Sequence, residues 1–255
     1  MYLPDFRLDE QLAVVTGGTK GIGRAIALSF AQSGADVILI ARNQKHLETV
    51  SKEIESLGRR AYVIAEDISN YKVIKEKVET VRDGRTIDVW VNNAGMNIRS
   101  EAEDVTEDEW EQIINTNMKS AFFLSQYAGS IMKKKKRGKI INISSVGGHM
   151  ALRTGVVYAM TKSAMIQMTK NLALEWGKYQ INVNAIGPWY FPTSLTEELL
   201  QDDDYVQAIL ERTPLKRIGK LEELSGAAVF LASDAGNYMT GQTLFVDGGM
   251  TIYGF

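Results

Sequence analysis

The sequence predicts an α/β protein: a single doubly wound parallel sheet of about seven strands, flanked by helices on both faces. Short apolar runs of β-branched residues alternate with helical patterns along the whole chain. The first of those runs passes directly into a glycine-rich turn that opens a helix. No repeat or low-complexity segment interrupts the alternation. With 255 residues, 45% of them hydrophobic, one core of ordinary size is expected, so residues 1–255 read as a single domain.

Leu12–Val15 is the first strand, a short buried run. It continues into Thr16-Gly17-Gly18-Thr19-Lys20-Gly21-Ile22-Gly23, and a helical pattern through Ile26, Leu28 and Phe30 follows. Strand, glycine turn and helix in that order form a dinucleotide-binding context. The glycines let the backbone turn tightly and approach a pyrophosphate at the helix N-terminus, where free amides and the helix dipole favour an anion. Val37–Ile40 is the second strand, and its end faces the adenosine ribose in such a fold. An acidic residue there would accept from a ribose 2′-hydroxyl. This chain has Ala41-Arg42-Asn43 instead, so Arg42, with Lys20 from the glycine turn, is expected to pair with a 2′-phosphate. That favours NADP(H), with NAD as the alternative.

Leu47, Val50, Ile54 and Leu57 mark a helix closed by Gly58. Ala61–Ala65 is the third strand, ending in Glu66-Asp67-Ile68. Asp67 either accepts from the adenine amino group or belongs to the acidic start of the next helix, which Ser69 is expected to cap. Ile87–Val91 leads into Asn92-Asn93-Ala94-Gly95. Thr106–Glu109 is a helix-capping sequence, and a long helix is expected from about Trp110 to Lys135. Asn117 inside that helix needs a reason: its amide bonds locally to backbone, or it braces a water-filled site. Lys139–Ile143 is the fifth strand and ends at Ser144-Ser145. A helix carrying Tyr158 runs to about Trp176, and its Met160, Met165 and Met168 read as core or subunit contact. Ile181–Ile186 is the sixth strand. The stretch 189–212, aromatic at its start and acidic at Asp202-Asp203-Asp204, reads as a lid over a substrate. A helix over Leu221–Ala232 and a strand over Leu244–Gly249 complete the chain.

Composition excludes several classes. There is no cysteine, which removes disulfides, thiolate catalysis and cysteine-held zinc. His46 and His149 are the only histidines, too few for an ordinary catalytic metal site, so no metal is expected. A formal net charge of −2 argues against a nucleic-acid partner, and Lys133–Arg137 reads as the solvated end of a helix. No apolar run spans a bilayer, and Met1–Phe6 lacks the pattern of a secretory signal. A cytoplasmic setting without a membrane partner is the expectation.

The chemistry centres on Ser145, Tyr158 and Lys162. Tyr158 and Lys162 are four apart and share a helix face. A phenol with a reference pKa near ~10 needs help at neutral pH. An ammonium one turn away stabilises the phenolate. Ser145, at a strand end, suits an alcohol or carbonyl oxygen. Together these parts match proton transfer at a carbonyl oxygen while hydride moves at carbon.

The Thr16–Gly23 turn, Asn92–Gly95, Asn117, Ser145, Tyr158, Lys162, Pro188 with Thr193, and Asp247-Gly248-Gly249 resemble the short-chain dehydrogenase/reductase family along essentially the whole length. Within it, Asn93–Arg99 and Glu175–Tyr179 are most similar to the sugar-acid branch, including gluconate 5-dehydrogenase and deoxygluconate dehydrogenase. The resemblance implies a Rossmann-type domain in which Tyr158 is proton donor or acceptor and Lys162 lowers its pKa and binds the nicotinamide ribose. It implies further that Ser145 positions the substrate oxygen and that Asn117 holds a water in a relay through Lys162. Gly17, Thr19, Lys20, Gly21, Ile22 and Gly23 would cradle the cofactor, with Arg42, Asn43, Asp67 and Ile68 at its adenosine end. Asn93, Ala94, Gly95, Pro188 and Thr193 would stand at its nicotinamide side. B-face hydride transfer and a homotetramer are also implied. The family's usual glycine after Pro188 is replaced here by Trp189, which bears on lid and pocket.

A sugar-acid substrate needs a cation. Arg99 and Arg153 are the candidates, since a guanidinium grips a carboxylate bidentately, and His149 is a candidate for substrate hydroxyls. The expected activity is NADP(H)-dependent interconversion of a secondary alcohol and ketone on a sugar acid. A 3-oxoacyl-carrier-protein reductase is the alternative within the family, and a non-catalytic cofactor sensor the alternative outside enzymes.

Overall fold

A computed structural model describes residues 2–193 and 195–253. Met1, Ser194, Gly254 and Phe255 lie outside the described residues; the start of the N-terminal signal reading and one position of the expected lid therefore do too.

Seven strands form one parallel sheet: β1 (Leu12–Thr16), β2 (Asp36–Ala41), β3 (Ala61–Ala65), β4 (Val89–Asn92), β5 (Gly138–Ile143), β6 (Ile181–Pro188) and β7 (Thr243–Val246). Their spatial order is β3-β2-β1-β4-β5-β6-β7. The order reverses direction at β1, so a crevice opens beyond the C-terminal ends of β1 and β4. Both faces of the sheet are covered, which is why its strands read as apolar runs rather than alternations. In β1, Ala13 and Val15 enter one core with Phe30 of α1 (Gly21–Gln32) and Leu224 of α8 (Leu221–Ala232). Leu12 and Val14 enter the other, with Ile74 of α3 (Tyr71–Arg82), Leu124 of α5 (Ser120–Lys135) and Leu172 of α6 (Val156–Trp176). The period-2 geometry of a strand sends neighbours to opposite layers.

Several boundaries differ from expectation for local reasons. α2 (Gln44–Ser56) is capped by the Asn43 side chain and ends before Gly58, which takes the left-handed conformation. α3 starts after Asn70, and Ser69 is not its cap: the Ser69 hydroxyl and amide both donate to Asp67 Oδ1. The long helix is α4 (Glu107–Ile114) and α5 joined by a π-turn over Asn115–Lys119, with Thr106 as N-cap. β7 stops at Val246 because Gly248 and Gly249 adopt φ of +63° and +90°, closing a turn that Asp247 holds through Gly249 N–H and Thr251 N–H.

The basic run closes α5 with Lys134 and Lys136 exposed, as a solvated helix end would be, while its other three cations have partners. Lys133 stands over the rings of Trp176 and Tyr179, Lys135 pairs with Asp88, and Arg137 pairs with Asp234. Met165 is buried, Met168 packs on the core and Met160 is exposed. Among the described residues the expected lid holds a 3-10 turn at Leu199–Gln201 and one α-helix, α7 (Asp203–Glu211), capped by Asp202. Among the described residues no helix is long and apolar enough to cross a membrane.

Candidate active site

The glycine turn meets β4 in a close interlock. Gly17 takes φ +66°, and a Cβ on Gly23 would stand 2.3 Å from the Gly17 carbonyl oxygen and 2.4 Å from Asn93 Nδ2. Only glycine permits that approach. Asn93 Nδ2 donates to the carbonyls of Thr16 and Gly17 at 2.9 and 3.2 Å. The Thr16 hydroxyl accepts from the Asn93 and Ala94 amides and donates to the Val91 carbonyl. Lys20, the N-cap of α1, offers no side-chain cap, so the first amides of α1 are open toward the crevice. A tight, anion-favouring cradle of this kind fits the pyrophosphate of a dinucleotide.

The cradle is one part of a cleft of about 840 Å³. Thr19, Lys20, Gly21, Ile22, Arg42, Asn43, Asp67 and Ile68 line one end, as expected. The Arg42 side chain is 82% exposed and its guanidinium lies 3.9 Å from Asp67, so it is available to a phosphate. Asp67 accepts from Ser69 in the turn before α3 and lines the cleft at the same time. His46, in the first turn of α2, also lines this end. No local sequence signal points to it, because its approach to the cleft depends on how α2 leaves β2.

Asn93, Ala94, Gly95, Pro188 and Thr193 line the middle, beside Ser145, Tyr158 and Lys162. Lys162 is buried, its Nζ donates to the Ile143 carbonyl at 2.8 Å, and it stands 5.4 Å from the centre of the Tyr158 ring. Burial lowers its pKa to about 8, still above neutrality. Burial pushes the Tyr158 phenol up, while a hydrogen bond from Ser145 and the charge of Arg99 pull it partly back. The net direction is upward, and the groups that oppose it are Ser145 and Arg99 rather than the Lys162 ammonium expected from the helix spacing. Ser145 Oγ accepts from the Gly147 amide, leaving its own proton for an oxygen in the cleft.

Asn117 sits in the π-turn, which widens the helix where its side chain must turn inward. Its Oδ1 accepts from the Met96 amide, and its Nδ2 donates to the Met96 carbonyl and to Thr161 Oγ1. The amide therefore bonds to backbone, though across the fold rather than locally. It ties the loop after β4 to α6, and its neighbours Asn115 and Thr116, rather than Asn117 itself, line the cleft.

At the far end stand Arg99, Arg153 and Trp189. The indole replaces latitude with anchorage: Nε1 donates to Thr213 Oγ1 at 3.1 Å and the backbone amide to the Val246 carbonyl. His149 does not line the cleft; its ring packs on Phe245 of β7, 5.3 Å between centres, because the turn at Val146–Gly148 carries it past Ser145 to the other side. Tyr190, Tyr205 and Arg212 line this end without having been singled out from sequence. Lid residues of this sort carry no periodic or motif signal that places them.

A family model described as "Enoyl-(Acyl carrier protein) reductase" matches residues 17–251. Gluconate 5-dehydrogenase of Gluconobacter oxydans is 38% identical over 98% of each chain. A tropinone reductase homologue of Arabidopsis thaliana is also 38% identical, over 95% of this chain and 93% of its own. Among solved structures, a gluconate 5-dehydrogenase from Burkholderia cenocepacia in complex with NADP and tartrate superposes with a TM-score of 0.94 at 35% identity, covering 99% of each chain.

Proposed function

The chain belongs to the short-chain dehydrogenase/reductase family of NAD(P)-dependent oxidoreductases acting on CH–OH groups, and from that premise we propose that it interconverts a secondary alcohol and a ketone on a sugar acid, using NADP(H). The observation that carries this reading is the convergence of Ser145, Tyr158 and the Arg99 charge on one end of a cleft whose other end presents Lys20 and Arg42.

Bound nicotinamide supplies or accepts the hydride at carbon. The chain's own residues handle the oxygen. Ser145 offers its proton to the substrate oxygen and holds it against the Tyr158 phenol. Tyr158 gives its proton to a ketone oxygen, or takes one from an alcohol. Lys162, largely charged below pH 8, stabilises the phenolate that follows proton donation. Asn117 is read as a positioning residue: it fixes Met96 against Thr161 and so holds the cleft wall to the catalytic helix. By the family resemblance, Asn117 would also hold a water in a proton relay through Lys162. Arg42 and Lys20 are read as the pair that selects a 2′-phosphate, and NADP is bound by related gluconate dehydrogenases. The exposed apolar side chains Trp110, Phe122, Met160 and Leu174 on α4, α5 and α6 support a homotetramer.

The test is an oxidation and reduction screen with NADP(H) and NAD(H) against sugar acids, neutral sugar alcohols and 3-oxoacyl thioesters. Turnover of sugar acids with NADP(H) preferred is expected. Turnover confined to thioesters would replace this reading by the acyl-carrier one.

A further inference from the structure

Two phenols of the lid meet over the substrate end of the cleft. Tyr190 follows β6 and Tyr205 lies on α7, and their hydroxyl oxygens are 2.6 Å apart. Each phenol has one O–H. One proton closes the contact; the other finds no acceptor among the described residues. The pair therefore presents one unspent donor, and both rings line the cleft.

Two guanidiniums from the body of the protein reach the same place. Arg153, on the loop before α6, stands over the Tyr205 ring at 5.8 Å. Arg99, on the loop after β4, donates to the lid carbonyl of Leu195 at 3.0 Å, and its charge acts on both Tyr158 and Tyr190. Neither arginine forms an ion pair with a carboxylate among the described residues. Among the described residues the only carboxylates lining the cleft, Glu66 and Asp67, are at its opposite end. Two unpaired cations beside a donor without an acceptor match a carboxylate, which takes hydrogen bonds on both oxygens.

We propose that the Tyr190–Tyr205 pair, with Arg99 and Arg153, forms the subsite that reads the carboxylate of an acidic substrate, the lid supplying the neutral donor and the body the charges. This rests on the sugar-acid reading above and adds the two phenols to it. It also ties lid position to substrate charge, because an anion that draws Arg99 competes with the Leu195 carbonyl.

The pairing makes a distinctive prediction. Removing one phenol frees the other to donate, so Tyr190→Phe or Tyr205→Phe alone has a small effect. The double variant loses the donor altogether and weakens anion binding about 10-fold or more, as loss of a hydrogen bond to a charged group does. The assay is calorimetric binding of D-gluconate to the NADPH-loaded protein, a ternary complex that cannot react, with sorbitol as uncharged control and NADPH affinity as the check on folding. Weakening confined to gluconate and to the double variant supports the subsite. Gluconate affinity unchanged in the double variant, or lost equally with sorbitol, overturns it. Sugar-acid turnover by the parent protein alongside unchanged gluconate affinity in the double variant would remove the subsite and keep the function. Gluconate binding through the phenols without sugar-acid turnover would keep the subsite and remove the function.

Discussion

Thr16→Val removes one hydroxyl while keeping the shape of a buried side chain, at the point where the cofactor cradle is joined to β4. In the parent protein that oxygen accepts from Asn93 N–H at 2.9 Å and Ala94 N–H at 3.0 Å and donates to the Val91 carbonyl at 3.1 Å. Thr16 is 1% exposed, so water cannot take the place of the hydroxyl. At about 1 kcal/mol net for each hydrogen bond, the loss comes to roughly 3 kcal/mol. In a domain of this size that lowers the Tm by about 6–12 °C. The same loss frees the segment that carries Asn93, whose amide holds the Thr16 and Gly17 carbonyls, so NADPH affinity should fall as well. Differential scanning calorimetry with a fluorescence titration of NADPH measures both. Thr16→Ser restores the oxygen without the methyl and should recover most of the Tm and of the affinity. A Tm for Thr16→Val within a degree or two of the parent, or a serine variant as damaged as the valine one, would refute the argument that this hydroxyl holds the cradle.

Tyr158→Phe should abolish turnover while NADPH still binds, measured by steady-state kinetics beside equilibrium titration; preserved turnover would remove the phenol from the chemistry. Since burial raises the Tyr158 pKa, the neutral phenol dominates near pH 7, so ketone reduction should run well there while alcohol oxidation rises with pH. A flat pH profile for oxidation would contradict this. Arg42→Ala should raise the KM for NADPH far more than that for NADH, and equal effects would mean that Arg42 does not read the 2′-phosphate. Lys162 binds its proton less firmly in the folded chain, about 8 against 10.5, so the unfolded chain holds more protons between those values and stability rises with pH there. The Tm of Lys162→Met minus that of the parent should therefore fall between pH 8 and 10.5. A difference that stays level would show that the buried charge carries no such penalty.

Periodicity and local turn chemistry suffice for much of this molecule. Strand–glycine-turn–helix, the four-residue interval from Tyr158 to Lys162 and the polar ends of β4 and β5 are contiguous in the chain, so their geometry follows from backbone rules that act over one or two turns. The seven-strand sheet and the parts of the cleft built from the glycine turn, Asn93–Gly95, Ser145 and Tyr158–Lys162 were legible for that reason. Even the reason for Asn117 was half legible, because a helix interior asparagine advertises a bond elsewhere.

What sequence could not decide is what lies opposite what across the fold. Asn117 finds Met96 through a π-turn that no local signal announces, and His149, four residues beyond Ser145, is carried to Phe245 by the turn between them. Tyr190 and Tyr205 meet only because α7 folds back over the end of β6. The sign of the Tyr158 shift was also a tertiary matter: sequence shows the ammonium one turn away, while the desolvation that raises the phenol, and the Ser145 and Arg99 contributions that oppose it, come from groups brought together by the fold. Local order is written by neighbouring residues, but burial and long-range pairing are properties of the assembled layers, and it is these that set the electrostatics and the far wall of the site.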